Sequence, residues 1–130
     1  MTPIAATTLY LGLFGLFMLL LKLNVGRVRA GEKVMFGDGA NEAMQRAIRV
    51  QGNAVEDVPV VLLGLIGLGL LEAPVMLIHA IGASFLVGRI LHAVGLGGSA
   101  GVSVGRFVGT LISLIAMIVT AGACIWYALN

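Results

Sequence analysis

Long apolar runs broken by short polar or glycine-rich segments organise this chain. Ile4–Leu23 is apolar almost throughout, and Ala73–Leu91 and Phe107–Leu129 repeat the pattern. Each meets the roughly 20 residues that an α-helix needs to cross a bilayer at about 1.5 Å per residue. The breaks are Glu72-Ala73-Pro74 and the glycine-rich stretch "GLGGSAGVSVG" from Gly95 to Gly105. The run Val58–Leu71 is too short to span alone. To reach full length it must extend back to about Gly52, which brings Asn53, Glu56 and Asp57 to membrane depth. The pattern predicts one domain over residues 1–130, an all-α integral membrane bundle of four transmembrane helices. Ahead of the second span, "GDGANE" reads as a turn and a helix start with Asn41 as N-cap.

Composition agrees with the pattern. Of the 130 residues, 59% are hydrophobic and 11% charged, and the mean hydropathy is +1.07. That leaves too little polarity to give each helix a solvated face. A net charge of +2 with few aromatic residues gives no footprint for nucleic acid. In the first run the basic residues Lys22, Arg27 and Arg29 follow the apolar core, the reverse of a signal peptide, so a retained span is expected.

Alternating four helices across a bilayer puts every basic residue on one side: Lys22, Arg27, Arg29, Lys33, Arg46, Arg49, Arg89 and Arg106. The positive-inside rule makes that side cytoplasmic and turns both termini outward. Trp126 and Tyr127 suit the opposite interface. Small residues at four-residue spacing, Ala80, Ser84 and Gly88 on the third helix and Gly105 and Gly109 on the fourth, predict close helix packing.

Topology does not account for the carboxylates. At about 100° per residue, Arg46, Arg49, Asn53, Glu56 and Asp57 fall within an arc of roughly 100° on the second helix. Arg89 and His92 share a face of the third helix, and Arg106 starts the fourth at the same level. A charge at this depth costs about 2.5 kcal/mol or more on insertion scales unless paired or wetted. Internal pairing of Arg49 or Arg89 with Glu56 is the structural reading. The functional reading rests on arginine outnumbering carboxylate in this layer. Planar guanidinium groups bind carboxylates bidentately, and Glu56 suits an ammonium, so the layer asks for a zwitterionic, net-anionic ligand.

Other chemistry is sparse. His79 lies away from Arg89 and His92 and reads as a hydrogen-bonded structural histidine, and Cys124 as a packing residue. No metal-ligand spacing, phosphate-cradling loop or nucleophile elbow occurs.

The run Arg46-x-x-Arg49-x-Gln51-x-Asn53-x-x-Glu56-x-x-Pro59 resembles the signature of the membrane-associated proteins in eicosanoid and glutathione metabolism, the MAPEG family. "GDGANEAMQRAIRVQGN" is similar to its bacterial branch, and "GRILHAVGL" (Gly88–Leu96) to its third-helix segment. The resemblance covers nearly the whole chain. It implies a homotrimer of four-helix subunits in a bacterial inner membrane, with glutathione as co-substrate between subunits near the cytoplasmic face. Carried over, Arg46, Arg49, Gln51, Asn53 and Glu56 hold glutathione, Arg89 and His92 complete the pocket, and Arg106 is the catalytic arginine. Arg27 or Arg29 matches a basic position at the end of helix one. The implied activity is a transferase or peroxidase acting on hydrophobic or lipid electrophiles that arrive from the membrane.

Two positions depart from that pattern. Asp57 and Leu96 stand where many relatives carry tyrosine, and Asp57 adds negative charge beside the expected carboxylate site. A non-catalytic lipid-binding or scaffold protein of the same fold is the alternative. A small multidrug exporter fits less well, because Ile4–Leu23 carries no acidic residue for proton coupling.

Overall fold

The computed structural model describes residues 1–98, 101 and 103–130. Among them the chain forms four helices: α1 (Pro3–Gly31), α2 (Glu42–Leu70), α3 (Val75–Gly98) and α4 (Val104–Leu129). All four are long and apolar enough to cross a membrane.

Each predicted span is present, and most of the helices are longer than their apolar cores. α1 continues past Leu23 to Gly31, and α2 begins at Glu42 rather than near Gly52. A helix of 29 residues, as in α1 and α2, is roughly 43 Å long against a hydrocarbon core of about 30 Å. Their basic ends therefore project beyond it. The reading of Gly95–Gly98 as loop is corrected, since these residues complete α3. Ser99, Ala100 and Val102 of that stretch lie outside the described residues. α4 starts at Val104, one turn before Phe107.

Local chemistry fixes the helix ends. Asn41 caps α2 as expected, its Oδ1 accepting from Met44 N at 2.9 Å, and its Nδ2 donates to Glu32 Oε2 at 2.7 Å. Arg29 Nη1 donates to the carbonyls of Val34 and Gly37, both at 3.1 Å, and so clamps the α1–α2 connection. Glu72 takes a left-handed conformation (φ 56°), which lets α2 reverse into α3 within a few residues.

α1 packs on α2 and α3, α2 on all three other helices, and α3 closely on α4, while the backbones of α1 and α4 stay apart among the described residues. The core is an apolar column containing Phe14, Val61, Leu65, Leu68, Ile78 and Phe85, with the Phe14 and Phe85 rings 5.2 Å apart. Outside, Leu16, Leu20, Leu63 and Ile118 are exposed, as suits side chains whose solvent is lipid.

The tightest seam joins α3 and α4. A Cβ at Gly109 would collide with the backbone of His92 and Gly88, and one at Gly88 would meet Ile112 at 2.9 Å. Gly88, Gly105 and Gly109 thus act as the spacing predicted, whereas Ala80 and Ser84 face outward. His79 is structural as expected: Tyr10 Oη lies 3.0 Å from its Nδ1. Cys124 packs against α2 and donates to the Gly64 carbonyl at 3.4 Å.

Candidate functional site

The polar stripe of α2 meets α3 and α4 at the end where the basic residues gather. Asn53, Asp57, Arg89, His92, Arg106, Thr110 and Ser113, with Leu114, line a cavity of about 250 Å³. Beside it, nearer the helix ends, Glu42, Gln45, Arg46, Arg49, Leu96 and Arg106 line a second cavity of about 300 Å³. Arg106 borders both. The structure therefore brings Arg46, Arg49, Asn53, Arg89, His92 and Arg106 into one layer. Gln51 lines neither cavity, because it lies on the opposite side of α2 from the stripe. Glu56 also lines neither and points outward.

Ion pairs divide this layer by depth. Arg89 lies roughly 21 Å along α3 from Val75, is 2% exposed, and donates to Asp57 Oδ2 at 2.6 Å. The partner anticipated for it was Glu56. Asp57 takes that place because it is turned about 100° further round α2. The residue that fitted the ligand pattern least is therefore the counter-ion that lets Arg89 be buried. Arg49 Nη1 instead reaches Glu56 Oε1 at 3.4 Å, with both side chains more than 60% exposed. Arg46 pairs with Glu42 at 3.2 Å.

Three of the four arginines of the layer are thus paired. The excess of guanidinium over carboxylate resolves into Arg106, whose side chain makes no hydrogen bond or ion pair among the described residues. Its placement is built in. Ser103 Oγ accepts from Arg106 N at 3.2 Å, capping α4, and donates to the Gly95 carbonyl at 3.0 Å. That serine locks the first turn of α4 to the last turn of α3. A cation on the first turn opposes the helix dipole, so the position is unfavourable for Arg106 alone. For an anion, the helix terminus and the guanidinium act in the same direction.

Further polar side chains surround the deeper cavity. His92 is buried, with Nδ1 lacking any partner and Nε2 3.5 Å from Asn53 Nδ2. Arg89 Nε is likewise buried without an acceptor. Thr110 and Ser113 line the same space but donate to carbonyls of their own helix, Arg106 and Gly109, both at 2.8 Å. No group of three or more metal-ligating side chains occurs among the described residues. Sequence reasoning missed Thr110 and Ser113, and the signal was available, since they lie about one and two turns beyond Arg106 on its own helix.

The model of the MAPEG family matches residues 7–126. The inner membrane protein YecN of Escherichia coli strain K12 and that of strain CFT073 are each 33% identical to this chain over 89 residues, which is 68% of this chain and 68% of theirs.

Proposed function

The chain belongs to the MAPEG family, and from that premise we propose that it is a membrane-embedded, glutathione-dependent transferase or peroxidase acting on hydrophobic electrophiles. The observation that carries this reading is Arg106, a guanidinium without a counter-ion among the described residues, at the junction of two polar cavities. The similarity to inner membrane proteins of Escherichia coli supports the same membrane for this chain. The clustering of basic residues supports a cytoplasmic site with the termini outside.

The residues suit a small ligand with two carboxylates and one ammonium. The pairs made by Arg46 and Arg49 each include a carboxylate that is well exposed, and exposed pairs are worth only about 0–1 kcal/mol. Either guanidinium is therefore free to exchange its carboxylate for that of a ligand, and Glu56, released from Arg49, then suits the ammonium. Arg89 is committed to Asp57, so with Asn53 and His92 it shapes the pocket floor. Arg106 lies where negative charge on sulfur would be held. Thiolate rather than thiol is the nucleophile, and a neighbouring guanidinium lowers a thiol pKa from about 8.5. Sulfur then bonds to an electrophilic carbon and the leaving group departs with the bonding electrons.

The outward Arg49–Glu56 pair also supports assembly. An exposed ion pair on a membrane helix is costly against lipid, and a second copy covering it removes that cost. We place the ligand at such an interface in a homotrimer, where Gln51 of a neighbouring copy is available to it.

The test is a glutathione titration of the detergent-solubilised protein, read by thiolate absorbance in the ultraviolet and followed by a panel of electrophiles. Wild type is expected to retain glutathione at millimolar concentration. Arg106→Ala is expected to keep its fold and lose about 10²–10³ in turnover, the usual effect of removing one charge-stabilising group. Absence of both retention and thiolate signal in the wild type would overturn the reading.

A further inference from the structure

A second groove, chemically unlike the first, runs between α1 and α3. Its deeper part, about 500 Å³, is walled by apolar side chains such as Leu13, Phe17, Leu20, Leu86 and Ile90. Its outer part, about 380 Å³, is flanked by Arg27 and Arg46. Asn24, Val94 and Gly97 line both, so the two parts are one continuous trough. No carboxylate lines either part.

The basic end has donors to offer. Arg27 is exposed, and its Nη2 donates to Asn24 Oδ1 at 2.9 Å. Arg46 lines the same end and gives one nitrogen to the exposed Glu42. From Asn24 to Leu13 the trough follows α1 for roughly 16 Å, close to the half-thickness, about 15 Å, of a hydrocarbon core. A small inorganic anion would use only the arginine end. A ligand that uses the whole trough has an anionic head and a hydrocarbon chain one leaflet deep.

We propose that this groove binds an anionic glycerophospholipid, its phosphate held by Arg27 and Arg46 and one acyl chain lying between α1 and α3. Guanidinium pairs recognise phosphate bidentately, and basic pockets between membrane helices select anionic headgroups. The groove shares Arg46 with the cavity nearer the helix ends that borders Arg106 but otherwise lies on different residues. Its test reads lipid retention through Arg27 and Gly97, so its failure is distinguishable from failure of the glutathione reading.

The experiment titrates delipidated, detergent-solubilised protein with dioleoyl-phosphatidylglycerol and, separately, dioleoyl-phosphatidylcholine, counting bound lipid by native mass spectrometry. Wild type is expected to retain phosphatidylglycerol in preference. Arg27→Ala is expected to weaken phosphatidylglycerol about fivefold, the loss of one near-surface cation, and to leave phosphatidylcholine unchanged. A Cβ at Gly97 meets open space within the protomer, so Gly97→Leu folds, projects into the joint of the trough, and weakens both lipids. Equal retention of the two lipids by wild type overturns the proposal, as does unchanged phosphatidylglycerol binding in either variant. Displacement of phosphatidylglycerol by an equal concentration of inorganic phosphate also overturns it, by showing a site for a free anion.

Discussion

Two ion pairs leave α2 within one turn of each other and meet opposite fates. Asp57 turns inward to Arg89, whose side chain is 3% exposed, while Glu56 turns outward to Arg49 with both partners more than 60% exposed. The components are the same, a carboxylate and a guanidinium. Only the angle around the helix differs. In the inner pair Arg89 is enclosed by its own protomer while Asp57 keeps 31% exposure at the cavity wall, and the pair holds α2 against α3. The outer pair has no enclosure in the protomer, and its environment is decided by what lies beside it in the membrane.

The largest effect is expected from breaking the inner pair. Arg89→Leu leaves Asp57 without its counter-ion and should cost about 3–5 kcal/mol, read as a fall in the thermal unfolding midpoint in detergent. Asp57→Leu combined with Arg89→Leu should recover most of that loss, because a buried pair replaced whole by apolar residues is often neutral. A double variant as unstable as the single one would show that the pair does more than neutralise itself. Next in size is Gly109→Val, which drives a side chain into the backbone of His92 and Gly88. We expect about 1–3 kcal/mol of destabilisation and a matching drop in glutathione retention, since Arg106 begins the same helix. The smallest effect belongs to the outer pair: Glu56→Gln should change protomer stability by under about 1 kcal/mol. A loss as large as that of Arg89→Leu would show that a neighbouring copy buries this pair as fully as α3 buries the other.

The sequence made four helices legible because lipid-facing side chains leave uninterrupted apolar runs. It did not show where those helices stop. Beyond the hydrocarbon core, residues such as Arg27 and Arg46 continue the backbone ladder without adding to the apolar run. Gly95 misled for a different reason. It looked like a loop residue, yet it is helical, and it is small so that Ser103 and the backbone of Arg106 can approach. Within the site, periodicity grouped the α2 stripe and the α3 pair, and the structure draws Arg46, Arg49, Asn53, Arg89, His92 and Arg106 together. It could not choose between Glu56 and Asp57 as partner to Arg89, because that choice depends on the angle at which α3 crosses α2. Nor could it reveal that pairing leaves Arg106 as the layer's uncommitted cation.

The glycine seam between α3 and α4 also bears on how this scaffold can diversify. Where two backbones touch, a new side chain has nowhere to go, so the wall carrying Arg89, His92 and Arg106 is closed to gradual change. Variation that alters which molecules are accepted must enter through α1 and α2, or through the neighbouring copies that meet them. Among related chains, differences in specificity should therefore accumulate on those two helices while the seam stays small.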